Sequence, residues 1–246
     1  MSAVRKVAEP AVESAARLDR MGWASILEAL DTCGFAVVPG AMTAAECSEF
    51  RALYEREATF RSRVVMARHG FGQGEYQYFA YPLPQPVEAL RHALYARLAP
   101  VANAWADALG RDERYPTSLD AFLKHCHVSG QRRPTPLLLK YGVGDYNRLH
   151  QDLYGGVQFP MQAAVLLNAP GADFDGGEFV LTETAPRKQT RAEVVPLRQG
   201  DMVVFAVNHR PVASAKGFSR VAMRHGVSTI RRGSRMTLGI IFHDAV

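Results

Sequence analysis

The chain has 246 residues, 48% of them hydrophobic and 22% charged, with a formal net charge of +5; that is a globular composition with enough length for one large core. Three widely spaced cysteines (Cys33, Cys47, Cys126) exclude a disulfide framework or a zinc-binding spacing, and no apolar run reaches the roughly 18–20 residues of a membrane helix. The first twenty residues mix small apolar residues with Arg5, Lys6, Glu9 and Glu13 and hold no secretory core, so a cytoplasmic location is expected.

After a leader interrupted by Pro10, Trp23, Ile26, Leu27, Leu30 and Cys33 form a helical stripe, and Gly34 stands where a C-terminal cap belongs. Residues 35–39 read as a short buried strand. Thr43-Ala44-Ala45-Glu46 is a capping-box pattern opening a helix that buries Cys47, Phe50 and Tyr54. Residues 68–82 alternate Gly70, Gly72 and Gly74 with aromatics. No Lys-Ser/Thr follows, so the stretch is no phosphate cradle; it reads as two strands around a mobile loop, or as a substrate lid using Arg68, His69, Tyr76 and Tyr78. Helices are expected over 87–98, 101–109 and 119–126. On the last of these His125 and His127 lie about 200° apart, which argues against a metal pair.

From Pro136 the texture changes to short strands punctuated by Gly, Pro, Asn and Asp: 137–141, 148–153, 162–168, 178–183, 202–207, 225–230 and 236–242. Helices followed by such strands predict an α+β fold with a sandwich or jelly-roll core. Residues 1–135 are then a helical support region with a few core strands, and residues 136–246 the catalytic core, within one structural domain.

Chemistry concentrates in Tyr141-Gly142-Val143-Gly144-Asp145-Tyr146-Asn147-Arg148-Leu149-His150-Gln151-Asp152. Residues two apart on a strand share a face, so His150 and Asp152 offer two of the three ligands of a two-His-one-carboxylate iron site. A third ligand should come from a later strand, just before a basic residue able to hold an acidic cosubstrate. His225 meets both demands, because Gly233-Ser234 makes a turn after it and Arg235 and Thr237 then share a strand face. His209, with Arg220 eleven residues on, and His243 are the other histidines open to the third role. Gly176-Gly177-Glu178 reads as a bulged strand start, so Glu178 is not expected to ligate.

With Phe174-Asp175-Gly176-Gly177-Glu178-Phe179, Gly200-Asp201-Met202-Val203-Val204-Phe205, His-Gly-Val and Arg-x-Thr in this order, Tyr141–Phe242 resembles the Fe(II)/2-oxoglutarate-dependent dioxygenases of the prolyl-4-hydroxylase-like branch. Arg224-His225-Gly226-Val227-Ser228 and the glycine loop also resemble a bacterial subgroup described as nucleic-acid oxygenases. The resemblance implies a double-stranded β-helix of the cupin-like kind with N-terminal helices on its major sheet. It implies Fe(II) on His150, Asp152 and His225, and 2-oxoglutarate on Arg235 with Thr237, Tyr141 and Asn147 assisting. It further implies hydroxylation of a C–H bond by O2, with succinate and CO2 released. The segment between Phe205 and His225 is longer than the family pattern and places His209 and Arg210 as walls of the substrate cleft.

For the substrate, residues 187–246 hold eleven Lys/Arg against three acids, which suits an anionic partner such as alkylated DNA or RNA. The same arginines would also serve as guards of exposed sheet edges. A peptide or small molecule is the substrate that the prolyl-hydroxylase-like core supports. Outside the class, a cupin-like binding module, which would not need Arg235-x-Thr237, and a zinc hydrolase with His-Asp-His ligands, whose nearby Glu or His base is not evident, stay open.

Overall fold

A computed structural model describes residues 16–246. Helix α1 (Trp23–Cys33) ends on Gly34, whose φ of 79° lets its N–H reach the Leu30 carbonyl; strand β1 (Phe35–Val38) follows at once. Helix α2 (Ala44–Leu53) starts on the expected capping box, with Thr43 and Glu46 each satisfying the other's backbone N–H. Strands β2 (Phe60–Val65), β3 (Gly72–Gln73) and β4 (Glu75–Phe79) enclose the glycine loop.

The two helices expected over 87–98 and 101–109 are one 24-residue helix, α3 (Gln85–Ala108). Pro100 sits inside it; Leu94, Tyr95, Leu98, Val101, Ala102 and Trp105 on both sides of the proline are buried together, which outweighs one missing backbone hydrogen bond. Helix α4 (Leu119–Val128) leaves His125 exposed and points His127 Nε2 at Asp244 (2.9 Å), so the two histidines form no metal pair.

The remaining strands are β5 (Leu137–Tyr141), β6 (Tyr146–His150), β7 (Met161–Leu166), β8 (Phe174–Gly176), β9 (Phe179–Thr184), β10 (Arg191–Val195), β11 (Met202–Ala206), β12 (His209–Ser214), β13 (Gly217–Val227), β14 (Ile230–Gly233) and β15 (Arg235–Ile240). A seven-stranded major sheet runs β1-β11-β7-β15-β5-β4-β2 and a minor sheet runs β10-β9-β13-β6-β3, with β12 also on β13. The first half of the chain thus fills both edges of the major sheet. Alternation along β7 and β11 sorts the core. Val165, Met202 and Val204 pack under the helices, whereas Ala164, Val203 and Phe205 face Phe179, Leu181 and Val195 of the minor sheet. This is the expected α+β double-stranded β-helix, with helices on the major sheet and a cavity between the two sheets.

Candidate active site

The cavity, about 210 Å³, is lined from both sheets by Tyr141, Asn147, His150, Asp152, His225 and Arg235, among others. Its metal-reach cluster forms in a way that strand alternation alone does not predict. Strand β6 ends at His150, so Asp152 lies past it rather than on it. Between the pairs His225↔His150 and Val227↔Asn147, β13 advances two residues while β6 advances three. The extra residue is a β-bulge at Arg148-Leu149. It turns both Arg148 and Leu149 outward and lets Asn147 and His150, an odd number apart, enter one cavity. Gly226 makes room for the bulge: a Cβ there would stand 2.8 Å from the Asn147 carbonyl oxygen.

Among the described residues, His150, Asp152 and His225 are the three side chains whose ligand atoms come within 4.8 Å of one another. His150 Nε2 lies 3.3 Å from Asp152 Oδ1, and His225 Nε2 lies 3.3 Å from Oδ2. Neighbouring ligands of one ion bound at about 2.1 Å stand about 3 Å apart, so the spacing fits a shared metal. His150 Nδ1 donates to the Arg148 carbonyl at 2.7 Å, which fixes the tautomer and leaves Nε2 free to ligate. Tyr154 donates to Asp152 Oδ1 at 2.7 Å. His225 Nδ1 is buried without a partner, and its ring is held by packing against Phe205 at 4.8 Å.

Burial opposes the charge on Asp152, but hydrogen bonds and charge from His150 and His225 outweigh it and hold the carboxyl well below the usual range. Burial would also lower His150, yet Asp152 and the Arg148 carbonyl raise it; His225 is lowered by burial and by the His150 charge. A proton in the cluster is thus favoured on His150 over His225, beside the Asp152 carboxylate. A divalent ion would replace that proton.

Beside the cluster Arg235 is 2% exposed, and it has no ion-pair partner among the described residues. Its Nη1 donates to Thr237 Oγ1 at 2.6 Å, Nε is unsatisfied, and the Tyr141 ring lies 5.8 Å from the guanidinium. Burial lowers Arg235 to about 10 and raises the Tyr141 phenol to about 12, so both keep their protons at neutral pH. Asn147 donates to the Tyr141 hydroxyl at 3.4 Å. A buried, unpaired guanidinium is costly, and an incoming carboxylate would satisfy it.

Several expected substrate residues lie elsewhere. Arg210 is 3% exposed and occupied by Glu183 and the Asp31 carbonyl, so it braces the fold rather than walling a cleft. His209 pairs across from Ala222 on the β12–β13 hairpin, which is the long segment before His225, and does not line the cavity. Buried His243 accepts the Phe159 N–H, and Glu178 is held by Ser228 and Arg231. Tyr76 lines the cavity, while Tyr78 is buried beside it, under the Arg61 guanidinium. Arg68 and His69 are exposed in the turn Met66–His69. Phe71, Leu153 and Tyr154 line the cavity without having been foreseen; an aromatic two residues after the carboxylate was the available signal for Tyr154.

Residues 74–245 match the model of a family described as an oxygenase catalysing oxidative methylation of damaged DNA, and the chain belongs to that family. An uncharacterised protein of Mycobacterium tuberculosis is 48% identical over 167 residues, covering 68% of this chain and 72% of the relative. Among solved structures, a Pseudomonas putida prolyl-4-hydroxylase matches with TM-score 0.51 at 16% identity, over 91% of this chain and 100% of that one. A Burkholderia pseudomallei oxidoreductase of the 2-oxoglutarate–Fe(II) oxygenase family matches with TM-score 0.53 at 17% identity, over 92% and 93%. A Trichoplax adhaerens prolyl hydroxylase, solved with a peptide of hypoxia-inducible factor, matches with TM-score 0.55 at 13% identity, over 95% and 92%. The family makes the chain an oxygenase, and its fold is the one seen in 2-oxoglutarate- and Fe(II)-dependent oxygenases.

Proposed function

We propose that the protein hydroxylates a C–H bond of an alkylated base in nucleic acid, with His150, Asp152 and His225 holding Fe(II) and Arg235 holding 2-oxoglutarate. The observation that carries this reading is the buried, unpaired Arg235 with Thr237, in one cavity with a His-Asp-His cluster. A metal-binding module or a zinc hydrolase does not require that cation, whereas a dicarboxylate cosubstrate does.

When bound, Fe(II) with 2-oxoglutarate and O2 supplies the oxidation: one oxygen atom enters the substrate C–H bond, and the other enters succinate as CO2 leaves. The protein supplies placement. The Arg235 fork would hold a carboxylate of 2-oxoglutarate, with the Thr237 and Tyr141 hydroxyls as assisting groups. The Arg148 carbonyl aims the His150 ring, and Tyr154 orients the Asp152 carboxylate. Ala164, Phe205 and Val227 line the cavity with apolar surface, which keeps water from the reacting carbon.

The family description names damaged DNA, and that supports the choice of substrate. Oxidation of an N-methyl group yields an N-hydroxymethyl group that breaks down to the bare amine and formaldehyde, so the reaction proposed is methyl removal. With Fe(II), 2-oxoglutarate and an N-methylated oligonucleotide, the protein should release succinate and formaldehyde in equal amounts. Both should vanish in His150→Ala and His225→Ala. Stimulation by peptides or metabolites alone would overturn the substrate. Succinate release that survives His225→Ala would overturn the ligand set.

A further inference from the structure

At about 210 Å³ the cavity is smaller than the roughly 300–1,000 Å³ of usual ligand pockets. Once a cosubstrate is inside, room is left for the reacting group alone, and the rest of a larger substrate must lie on the rim. That rim has a definite character. Phe71 and Leu153 line the cavity yet are 48% and 44% exposed. The His69 ring stacks on Phe71 at 5.4 Å and 21°. On the adjacent strand the Arg148 guanidinium lies 5.7 Å from the Tyr146 ring, and the Arg148 N–H donates to the Phe71 carbonyl at 2.9 Å. Two ring-bearing pairs therefore stand on neighbouring stretches of the minor-sheet edge, His69–Phe71 at the mouth and Tyr146–Arg148 beside it on the outward side of β6.

The charge there is one-sided. Residues 66–74 and 146–154 contain Arg68 and Arg148 but a single acid, Asp152, which is 9% exposed and faces His150 and His225. Strand β13 adds exposed Arg220 and Arg224 and has no acid. None of these four arginines has an ion-pair partner among the described residues, whereas Arg210, Arg231 and Arg232 of the same basic quarter are paired. Exposed His69 and Phe71 and half-buried Tyr146, beside uncompensated cations, match a ligand with flat faces and a polyanionic backbone.

Resting on the oxygenase reading above, the geometry points to a platform for single-stranded nucleic acid on this rim. Bases stack on the His69–Phe71 pair and on Tyr146, phosphates meet Arg68 and Arg148, and the base to be oxidised enters between Phe71 and Leu153. A duplex hides its base faces and leaves the rings without partners, so the platform favours the single strand. An acidic peptide would satisfy the arginines but not the rings.

The test is fluorescence anisotropy on the full chain, with a labelled single strand of about 12 nucleotides, its duplex, and a polyglutamate peptide as probes. The single strand should bind at least about tenfold tighter than either alternative. Phe71→Ala should weaken that binding by about tenfold without changing its salt dependence, and Phe71→Trp should retain it. Arg148→Gln should weaken it and lower the slope of log affinity against log salt by about one. Equal binding of duplex or of polyglutamate, or no effect of Phe71→Ala, overturns the platform. Metal-dependent 2-oxoglutarate binding by the unaltered protein separates the two levels: if it persists the platform alone falls, and if it is absent the oxygenase reading falls with it.

Discussion

Gly226 shows how little at the residue scale separates a metal site from an ordinary strand. Its backbone is not in the left-handed region; what requires glycine is the close approach of the β6 bulge, where a Cβ would lie 2.8 Å from the Asn147 oxygen and 3.3 Å from the Arg148 carbonyl group. That same carbonyl takes the His150 Nδ1 proton. Gly226→Ala should therefore push the bulge away, misdirect the ring and lower metal affinity about 10–100-fold, a scale typical of losing such orientation. Competition with a chelator measures it, and unchanged affinity would show that the bulge does not aim His150.

Arg210 makes the corresponding point at the scale of elements. It lies on β12, packs on the Gly34 cap of α1, donates to the Asp31 carbonyl at 3.0 Å and pairs with Glu183 of β9. It joins helix layer to minor sheet. Arg210→Ala should cost about 3 kcal/mol of stability in urea unfolding, as expected for a broken buried pair, with the affinity of the folded protein for 2-oxoglutarate unchanged. A large affinity loss without destabilisation would restore Arg210 to the cleft.

Legibility in the sequence followed the elements. Strand 137–141 was readable to the residue, because Leu137 to Leu139 and Tyr141 make a short, mostly apolar run between Pro136 and Gly142. The capping box and the Arg235–Thr237 pair were readable because each is a local pattern on one element. Strands β10 and β12 were not, since Arg191–Val195 and His209–Ser214 carry the polar side chains of outer strands. The bulge was invisible as well. It depends on which strands become neighbours, and a period-of-two argument placed Asp152 on a strand that in fact stops at His150. His150, Asp152 and His225 come together through a bulge and a loop rather than through plain strand alternation.

Over the whole molecule, the C-terminal segment locks the helix layer to the sheets. Asp244 is fully buried against Arg91 at 2.9 Å, with the Tyr81 hydroxyl and His127 on the same carboxylate. Next to it His243 is also fully buried, accepts the Phe159 N–H through Nδ1, and is lowered by burial to about 4. Because its folded value lies below its unfolded one, the unfolded chain takes up a proton that the folded chain refuses. Stability from this residue is complete above the unfolded value and falls as pH drops toward 4, by roughly 3 kcal/mol in all. Denaturant unfolding should lose roughly 2 kcal/mol between about pH 7 and about pH 5. His243→Gln, which keeps an acceptor for Phe159, should flatten that dependence; an unaltered slope would assign it to other groups.

The His150–Asp152–His225 cluster and the Arg235 anchor share one cavity and are expected to act in a single binding event. Anaerobic titration of the protein with Fe(II) and 2-oxoglutarate, followed by the visible charge-transfer absorbance of an iron–2-oxo acid chelate, tests this most directly. The predicted result is one chelate per chain, absent in His225→Ala. In Arg235→Lys it should form at about 10–100-fold higher 2-oxoglutarate, since a point charge replaces the guanidinium fork. A chelate that survives His225→Ala but disappears in His209→Ala, or one indifferent to Arg235→Lys, would contradict the account.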